Sequence, residues 1–89
     1  QQLRIINPSR ISGMIRVLYF ARLAEAFKKR GEPMMKGSAK TVGQIVDRLK
    51  ARDSHWEKML VEGQFQIMVN KQIVNGDHPI KDGDEIALV

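Results

Sequence analysis

The side chains in this sequence that could carry out chemistry are few and widely spaced. The two histidines, His55 and His78, lie in turn-like stretches without a second ligand or a nucleophile at a useful spacing. We interpret both as polar turn residues. Three acids, Asp82, Asp84 and Glu85, are grouped like a calcium loop, but their spacing does not follow the EF-hand pattern. Side-chain caps on a tight turn explain this group better.

Composition excludes other kinds of site. The chain has no cysteine, which excludes disulfide scaffolds, cysteine-based zinc sites and thiol nucleophiles. No glycine-rich phosphate loop follows a strand pattern. The sequence therefore contains no self-contained active site, and we predict no catalytic residue, no metal site and no cofactor.

The net charge of +5 suggests nucleic-acid binding, but the charges are dispersed. Arg4 and Arg10 lie in the first 13 residues, which hold no acid, and from Met14 onward 13 basic residues oppose 10 acidic ones. The only basic run, residues 28–30, falls at the end of a predicted helix, where basic side chains complement the negative helix terminus. We interpret this run as a solvated helix end and predict no nucleic-acid partner.

The length of 89 residues, with 43% hydrophobic and 28% charged residues, is typical of one folded domain. No apolar run approaches the roughly 20 residues of a membrane span, and the N-terminus lacks the apolar core of a secretory signal. We therefore expect a cytoplasmic protein with no membrane contact. Residues 1–13 contain turn-like Asn7-Pro8 and Ser12-Gly13, and we expect a tag or an N-terminal extension there, followed by a domain at residues 14–89.

The residue pattern in the first half of that domain predicts a strand, a helix, a short strand and a second helix. Residues 15–20 form a strand pattern with two apolar faces, one with Ile15, Val17 and Tyr19 and the other with Leu18 and Phe20, which indicates a central position in a sheet. Residues 21–30 predict a helix with Gly31 as its C′ residue, and residues 34–36 a short edge strand.

The strongest helix signal begins at Thr41. Thr41 and Gln44 fit a capping box, and an apolar stripe follows at Val42, Ile45, Val46 and Leu49. A further helical turn is predicted through Trp56, Met59 and Leu60. We interpret Trp56 as a core anchor rather than a platform for stacking bases.

The second half predicts three strands joined by tight turns. Residues 65–69 alternate, Asn70-Lys71 turns the chain into residues 72–74, and Asn75-Gly76 is another turn. In the turn at residues 81–84, Gly83 is free to take a positive φ before the last strand at residues 85–89. The element order predicts an α+β fold with a mixed sheet and helices packed on one face.

Several segments together resemble the small subunit of molybdopterin synthase, the MoaD-type sulfur carriers. The resemblance spans residues 14–89 and rests on Met14 to Ala21, the Val69-Asn70 turn, Ile73-Val74, Asp77-His78-Pro79 and Lys81 to Ala87. This family belongs to the MoaD/ThiS superfamily and has the ubiquitin-like β-grasp fold. That fold agrees with the predicted order of strands and helices.

The resemblance implies a sulfur carrier that does no catalysis itself. In this family the chain continues as a flexible tail that ends in Gly-Gly. An ATP-dependent, E1-like activating enzyme adenylates the terminal glycine, and sulfur replaces the adenylate to give a thiocarboxylate. The tail then enters the active site of the large subunit and donates sulfur to a cyclic pyranopterin phosphate, which forms the dithiolene of molybdopterin. The implied partners are therefore the large subunit and the activating enzyme.

The sequence departs from this family pattern at its end. Val89 stands where the tail should begin, and no Gly-Gly follows it. We expect a truncated chain whose gene encodes the tail, with a degenerate homologue as the alternative.

Strand alternation predicts where partners bind. If Ile86 and Leu88 point into the core, Ala87 and Val89 lie on the open face of the sheet, and Met68 joins them from the neighbouring strand. We predict that Met68, Ala87 and Val89 form an apolar patch that contacts the large subunit or the activating enzyme. The alternative is that Met68 is partly covered core.

Three other functions remain open. The thiamin-pathway sulfur carrier shares the fold and the tail, although Asp77-His78-Pro79 and the length favour the molybdopterin member. A TGS-type β-grasp module of RNA-handling proteins also has a Gly-Asp turn before its last strand. The third alternative is an interaction domain without chemistry.

Overall fold

The computed structural model describes residues 13–89, so the predicted extension at residues 1–13 lies almost wholly outside the described residues. The described chain has eight elements, which are β1 (Met14–Tyr19), α1 (Ala21–Phe27), β2 (Gly31–Met35), α2 (Val42–Lys50), α3 (Ser54–Met59), β3 (Ile67–Val69), β4 (Gln72–Val74) and β5 (Glu85–Leu88). No helix within residues 13–89 is long and apolar enough to cross a membrane.

The five strands form one mixed sheet in the order β2-β1-β5-β3-β4. β1 and β5 are parallel, and the other neighbouring strands are antiparallel. A parallel pair needs a long crossover connection, and the whole of the chain between β1 and β5 supplies it. β1 is therefore internal to the sheet, as its two apolar faces predicted.

One face of the sheet is buried beneath the helices. Ile15, Val17 and Tyr19 of β1 and Ile86 and Leu88 of β5 are all at most 3% exposed. They pack against buried helix residues, which include Leu23, Phe27, Val42, Ile45, Val46 and Leu49. This one-sided packing confirms the predicted α+β class. It also fixes the strand register, because a slip by one residue would exchange the buried and exposed side chains.

The capping box of α2 is present as predicted. The backbone N–H of Gln44 donates to the Thr41 hydroxyl oxygen at 3.3 Å, and the Gln44 side-chain oxygen accepts from the Thr41 N–H at 3.3 Å. Two backbone donors that the helix itself leaves unpaired are satisfied in this way.

The prediction for α1 was too long. The helix ends at Phe27, where Lys28 takes a left-handed conformation with φ of 58° and its N–H bonds to the Ala24 carbonyl. The predicted C′ residue, Gly31, instead begins β2. A Cβ at Gly31 would lie 2.8 Å from Leu18 Cδ2, so glycine makes room there for the Leu18 side chain.

β2 is longer than the predicted residues 34–36, and it includes Pro33. The Tyr19 N–H donates to the Arg30 carbonyl, so Tyr19 and Arg30 form a hydrogen-bonded pair and the neighbouring Leu18–Gly31 pair does not. Because the two kinds of pair alternate, the Arg16–Pro33 pair is also non-hydrogen-bonded, and the Pro33 nitrogen faces the free edge. A proline at that position costs the sheet no hydrogen bond.

A partly exposed polar cluster centres on Glu32 of β2. Its carboxylate accepts from the Tyr19 hydroxyl at 2.5 Å and from two Arg52 nitrogens at 2.8 and 2.9 Å. The Arg52 carbon Cζ lies 4.5 Å from the centre of the Trp56 ring, and Trp56 stacks on Phe27 with 3.7 Å between centroids. Trp56 thus packs against the core, as predicted, and joins α3 to the sheet.

The cluster shifts the pKa values of the Glu32 carboxyl and the Tyr19 phenol. The Arg52 hydrogen bonds outweigh burial and, with the Tyr19 hydrogen bond, lower the pKa of Glu32 to about 2. Burial, followed by the hydrogen bond to Glu32, raises the pKa of the Tyr19 phenol. Because the folded-state pKa of Glu32 is depressed, its contribution to stability is present above about pH 4.5 and is lost as the pH falls towards 2.

We expect Glu32→Gln to lower the free energy of unfolding at pH 7 by roughly 1 kcal/mol, because Arg52 loses its partly buried carboxylate partner. The variant should also lose less stability than the parent protein between about pH 4.5 and pH 2. Urea unfolding at several pH values measures both effects. Glu25→Gln, a change of an exposed acid on α1, is the matched control. Equal pH profiles for the parent protein and Glu32→Gln would contradict this role for Glu32.

Candidate functional site

The titratable side chains singled out in the sequence do not come together. His55 lies in α3 rather than in a turn, and its Nε2 is 2.9 Å from the Ala26 carbonyl oxygen. His78 is half-buried, and its backbone groups bond to Asn75 and Val42. Within residues 13–89, no three His, Cys, Asp or Glu side chains are grouped closely enough to hold a metal ion.

Asp84 is a buried acid with a structural role, as the capping interpretation predicted. Its Oδ2 accepts from the Lys81 backbone N–H at 2.9 Å, and its Oδ1 accepts from the Asn70 side-chain amide at 3.0 Å. Burial by itself would raise the pKa of Asp84, but the hydrogen bonds from Asn70 and Lys81 hold it below its usual value. The turn at residues 81–84 is thereby tied to the β3–β4 hairpin.

Asn70 completes this connection. It and Lys71 both have positive φ, 50° and 73°, which is the geometry of a two-residue type I′ hairpin turn. The Asn70 side-chain oxygen accepts from the Glu85 N–H at 3.0 Å, and the Asn70 N–H donates to the Glu85 carbonyl at 2.8 Å. The hairpin therefore holds the first residue of β5, and the direction of that strand follows from it.

The open face of the sheet carries an apolar row that crosses four strands. Strand register places Leu18 of β1 beside Ala87 of β5, Ala87 beside Met68 of β3, and Met68 beside Ile73 of β4. By alternation Phe20 and Val89 continue on the same face at the end of the sheet. We call these six residues the open-face patch: Leu18, Phe20, Met68, Ile73, Ala87 and Val89.

The exposure of the patch is unusual for apolar side chains. In the described residues, five large hydrophobic side chains are exposed, and three of them belong to the patch: Phe20, Ile73 and Val89. A fourth, Met35, lies on the same face of the sheet. Ile73 is 67% exposed and Val89 44%. A charged pair in register, Arg16 and Glu85, borders the row. Contiguous exposed apolar surface with a polar border is typical of a protein–protein contact.

The sequence predicted three of the six patch residues. Met68, Ala87 and Val89 all lie on the open face, and Met68 is half-buried between strand neighbours rather than part of the core. Their contact with a partner stays a prediction. Leu18 and Phe20 were assigned to the second face of β1, but the parallel pairing of β1 with β5 was needed to bring them beside Ala87 and Val89.

The end of β5 is held on both sides. Val89 and Gln66 exchange two backbone hydrogen bonds of 3.0 and 2.8 Å, and the Phe20 N–H donates to the Leu88 carbonyl at 3.1 Å. The Arg22 guanidinium donates to the Gln64 carbonyl at 2.7 Å, which joins α1 to the loop before β3. Backbone hydrogen bonds therefore hold Val89, which belongs to the open-face patch, in the sheet up to the last described residue.

A mixed sheet of this order with helices on one face and an open second face defines a ubiquitin-like β-grasp protein. The fold is similar to that of SAMP1 from Haloferax volcanii, with a TM-score of 0.76 and 23% sequence identity over 86% of this chain and 93% of that one. Residues 17–89 match the ThiS family, and the chain belongs to that family.

Two further comparisons point in the same direction. The molybdopterin synthase sulfur carrier subunit of Escherichia coli (strain K12) is 32% identical over 75 residues, which cover 84% of this chain and 91% of that protein. A structure of the complex of subunits 1 and 2 of molybdopterin-converting factor from Helicobacter pylori 26695 is similar with a TM-score of 0.62 and 23% identity, over 85% of this chain and 90% of the matched one. The predicted resemblance to the MoaD-type carriers and the β-grasp fold are thus confirmed.

We expect Asn70→Gly to lower the free energy of unfolding by about 1 to 2 kcal/mol, because glycine keeps the positive φ but loses the bonds to Asp84 and Glu85. Amide hydrogen exchange in β5 should become faster. Lys71→Gly is the matched control, because it changes the other turn residue without removing these bonds, and its stability should stay close to that of the parent protein. Equal effects of the two substitutions would show that the Asn70 side chain does not hold β5.

Proposed function

We propose that this protein is the sulfur-carrier small subunit of a molybdopterin synthase and that it docks through the open-face patch. The observation that supports the proposal most directly is the apolar patch at the end of β5, on a chain 32% identical to a molybdopterin synthase sulfur carrier subunit. The related structure from Helicobacter pylori is a complex of two converting-factor subunits, which supports a large subunit as the partner.

In this proposal the β-grasp domain is a carrier and docking module, and the reacting group lies beyond Val89. A tail ending in Gly-Gly receives sulfur as a thiocarboxylate after adenylation by an ATP-dependent, E1-like activating enzyme. It then donates sulfur to a cyclic pyranopterin phosphate in the large subunit. Glycine suits this task because a chain end without side chains can enter a narrow pocket. The proposal places these steps in the cytoplasm.

The geometry at the end of β5 suits such a tail. The backbone bonds of Val89 to Gln66 and of Leu88 to Phe20 hold the strand up to its last described residue. A tail that begins at a fixed point next to a docking surface has fewer orientations to lose when it enters the partner's active site. The sheet therefore positions the tail, and the partner supplies the catalysis.

Val89→Asp should weaken binding to the large subunit of molybdopterin synthase by at least about tenfold, because a carboxylate would be buried without a partner. The fold should stay intact, since Val89 is 44% exposed. Isothermal titration calorimetry measures the affinity, and circular dichroism checks the fold. Val61→Asp is the matched control, because Val61 is similarly exposed, at 40%, in the loop after α3. Unchanged affinity of Val89→Asp would remove the patch from the docking surface.

A carrier extended to its encoded C-terminus should gain, in cells, the mass expected when sulfur replaces one carboxylate oxygen. Intact-mass spectrometry measures this difference, and a variant without the terminal glycine is the control. Sulfur transfer should then succeed with the large subunit of molybdopterin synthase and fail with the sulfur-accepting partner of the thiamin pathway. The reverse result would identify a thiamin-pathway carrier, and no thiocarboxylate in either setting would contradict a carrier function.

A further inference from the structure

The two free edges of the sheet, β2 and β4, differ in whether another strand can pair with them. On β2, Pro33 turns a nitrogen without a hydrogen towards the edge, and the Arg48 guanidinium donates to the Met35 and Lys36 carbonyls at 2.5 and 2.9 Å. A proline and an occupied carbonyl both prevent another strand from pairing there. The β2 edge is therefore closed.

The β4 edge lacks these protections. Val69 and Gln72 flank the two-residue turn and so form its hydrogen-bonded pair, which makes Met68–Ile73 the next, non-hydrogen-bonded pair. The N–H and C=O of Ile73 consequently point away from β3, towards the free edge. Its side chain is 67% exposed, and no described residue covers this edge with a hydrogen bond comparable to that of Arg48.

A groove of about 450 Å³ runs alongside this edge, between β4, α2 and the loop before β3. Apolar side chains from these elements line it: Val46, Leu60, Phe65, Ile67 and Val74. One end of the groove is fixed by a close backbone contact, in which the Gly43 N–H donates to the Gly76 carbonyl at 2.7 Å. A Cβ at Gly43 would lie 2.8 Å from that oxygen, so the contact requires glycine.

The charge of the groove is opposite to that of the protein. Asp47, Lys50 and Glu62 are the charged residues of its lining, which gives it a net charge of −1 on a chain with a net charge of +5. Neither Asp47 nor Glu62 forms an ion pair within residues 13–89. These two carboxylates are therefore available to a basic side chain of a ligand.

We propose that the β4 edge and its groove bind an extended peptide segment of a partner protein as a sixth strand of the sheet, with apolar and basic side chains at the alternate positions that face the groove. The peptide backbone pairs with the N–H and C=O of Ile73. Its apolar side chains contact the groove lining, and a basic side chain reaches Asp47 or Glu62. Strand addition of this kind takes affinity from main-chain hydrogen bonds and specificity from the alternating side chains. This site uses the backbone of Ile73, whereas the open-face patch uses its side chain, and it does not depend on sulfur transfer.

The probe for this proposal is the peptide acetyl-Val-Thr-Lys-Thr-Val-amide, whose Val and Lys side chains lie on one face of an extended strand. It is titrated into the ¹⁵N-labelled protein and followed by two-dimensional NMR. We expect saturable shifts of the amides in β4 and of those around Val46 and Asp47. The same peptide with its backbone nitrogens methylated should bind about tenfold more weakly, because it cannot donate to the edge. A peptide with glutamate in place of lysine should also bind more weakly.

Two protein variants test the edge itself. Ile73→Pro reproduces on β4 the arrangement that Pro33 has on β2, so the sheet should form while binding of the probe falls about tenfold. Ile73→Val keeps the N–H and should bind like the parent protein. If Ile73→Pro does not fold, the methylated peptide tests the same hydrogen bonds without changing the protein.

The proposal is overturned if no saturable shifts occur up to the solubility limit of the probe, or if the methylated peptide binds equally well. It is also overturned if the β4 amides shift with protein concentration alone, which would identify a second copy of this chain as the occupant. Because no large subunit is present in these titrations, their result is independent of whether the protein is a sulfur carrier.

Discussion

The parallel pairing of β1 with β5 is the contact on which the rest of the structure depends. It joins the first and last described strands, and each contributes alternate side chains to two different surfaces. On one face Val17 and Ile86 are fully buried beneath the helices. On the other face the same register places Leu18 beside Ala87. A single pairing therefore creates both the core and the open-face patch, and any shift of register would damage both together.

Polar side chains hold this pairing in place at both of its ends. Near the start of β5, Asp84 and Asn70 fasten the strand to the β3–β4 hairpin. Near the end of β1, Tyr19 bonds to Glu32, which Arg52 holds from the end of α2. Hydrogen bonds from within the fold keep the pKa values of Glu32 and Asp84 low, and both acids join neighbouring elements of the fold.

The difference between the two sheet edges depends on which residues of α2 face each edge. Arg48 projects from α2 onto β2, and its guanidinium occupies the edge carbonyls on that side. On the opposite flank of α2, Asp47 and Lys50 line the groove beside β4. One helix thus closes one edge and leaves the other open. In a five-stranded sheet with a solvent-exposed face, such asymmetry limits where other chains can pair.

Much of this architecture was determined by local sequence alone. The capping box at Thr41, the apolar stripe of α2, the turn at Asn70 and the alternation of Ile86 and Leu88 each act over a few residues, so they were predictable. The early end of α1 was not, because Lys28 takes a left-handed conformation and the glycine at position 31 serves the packing of Leu18 rather than the helix end. The addition of Leu18, Phe20 and Ile73 to the patch, the closed edge at Pro33 and the groove beside β4 were decided only by the tertiary structure. They depend on which strands become neighbours and in what register, and that pairing joins residues far apart in the chain.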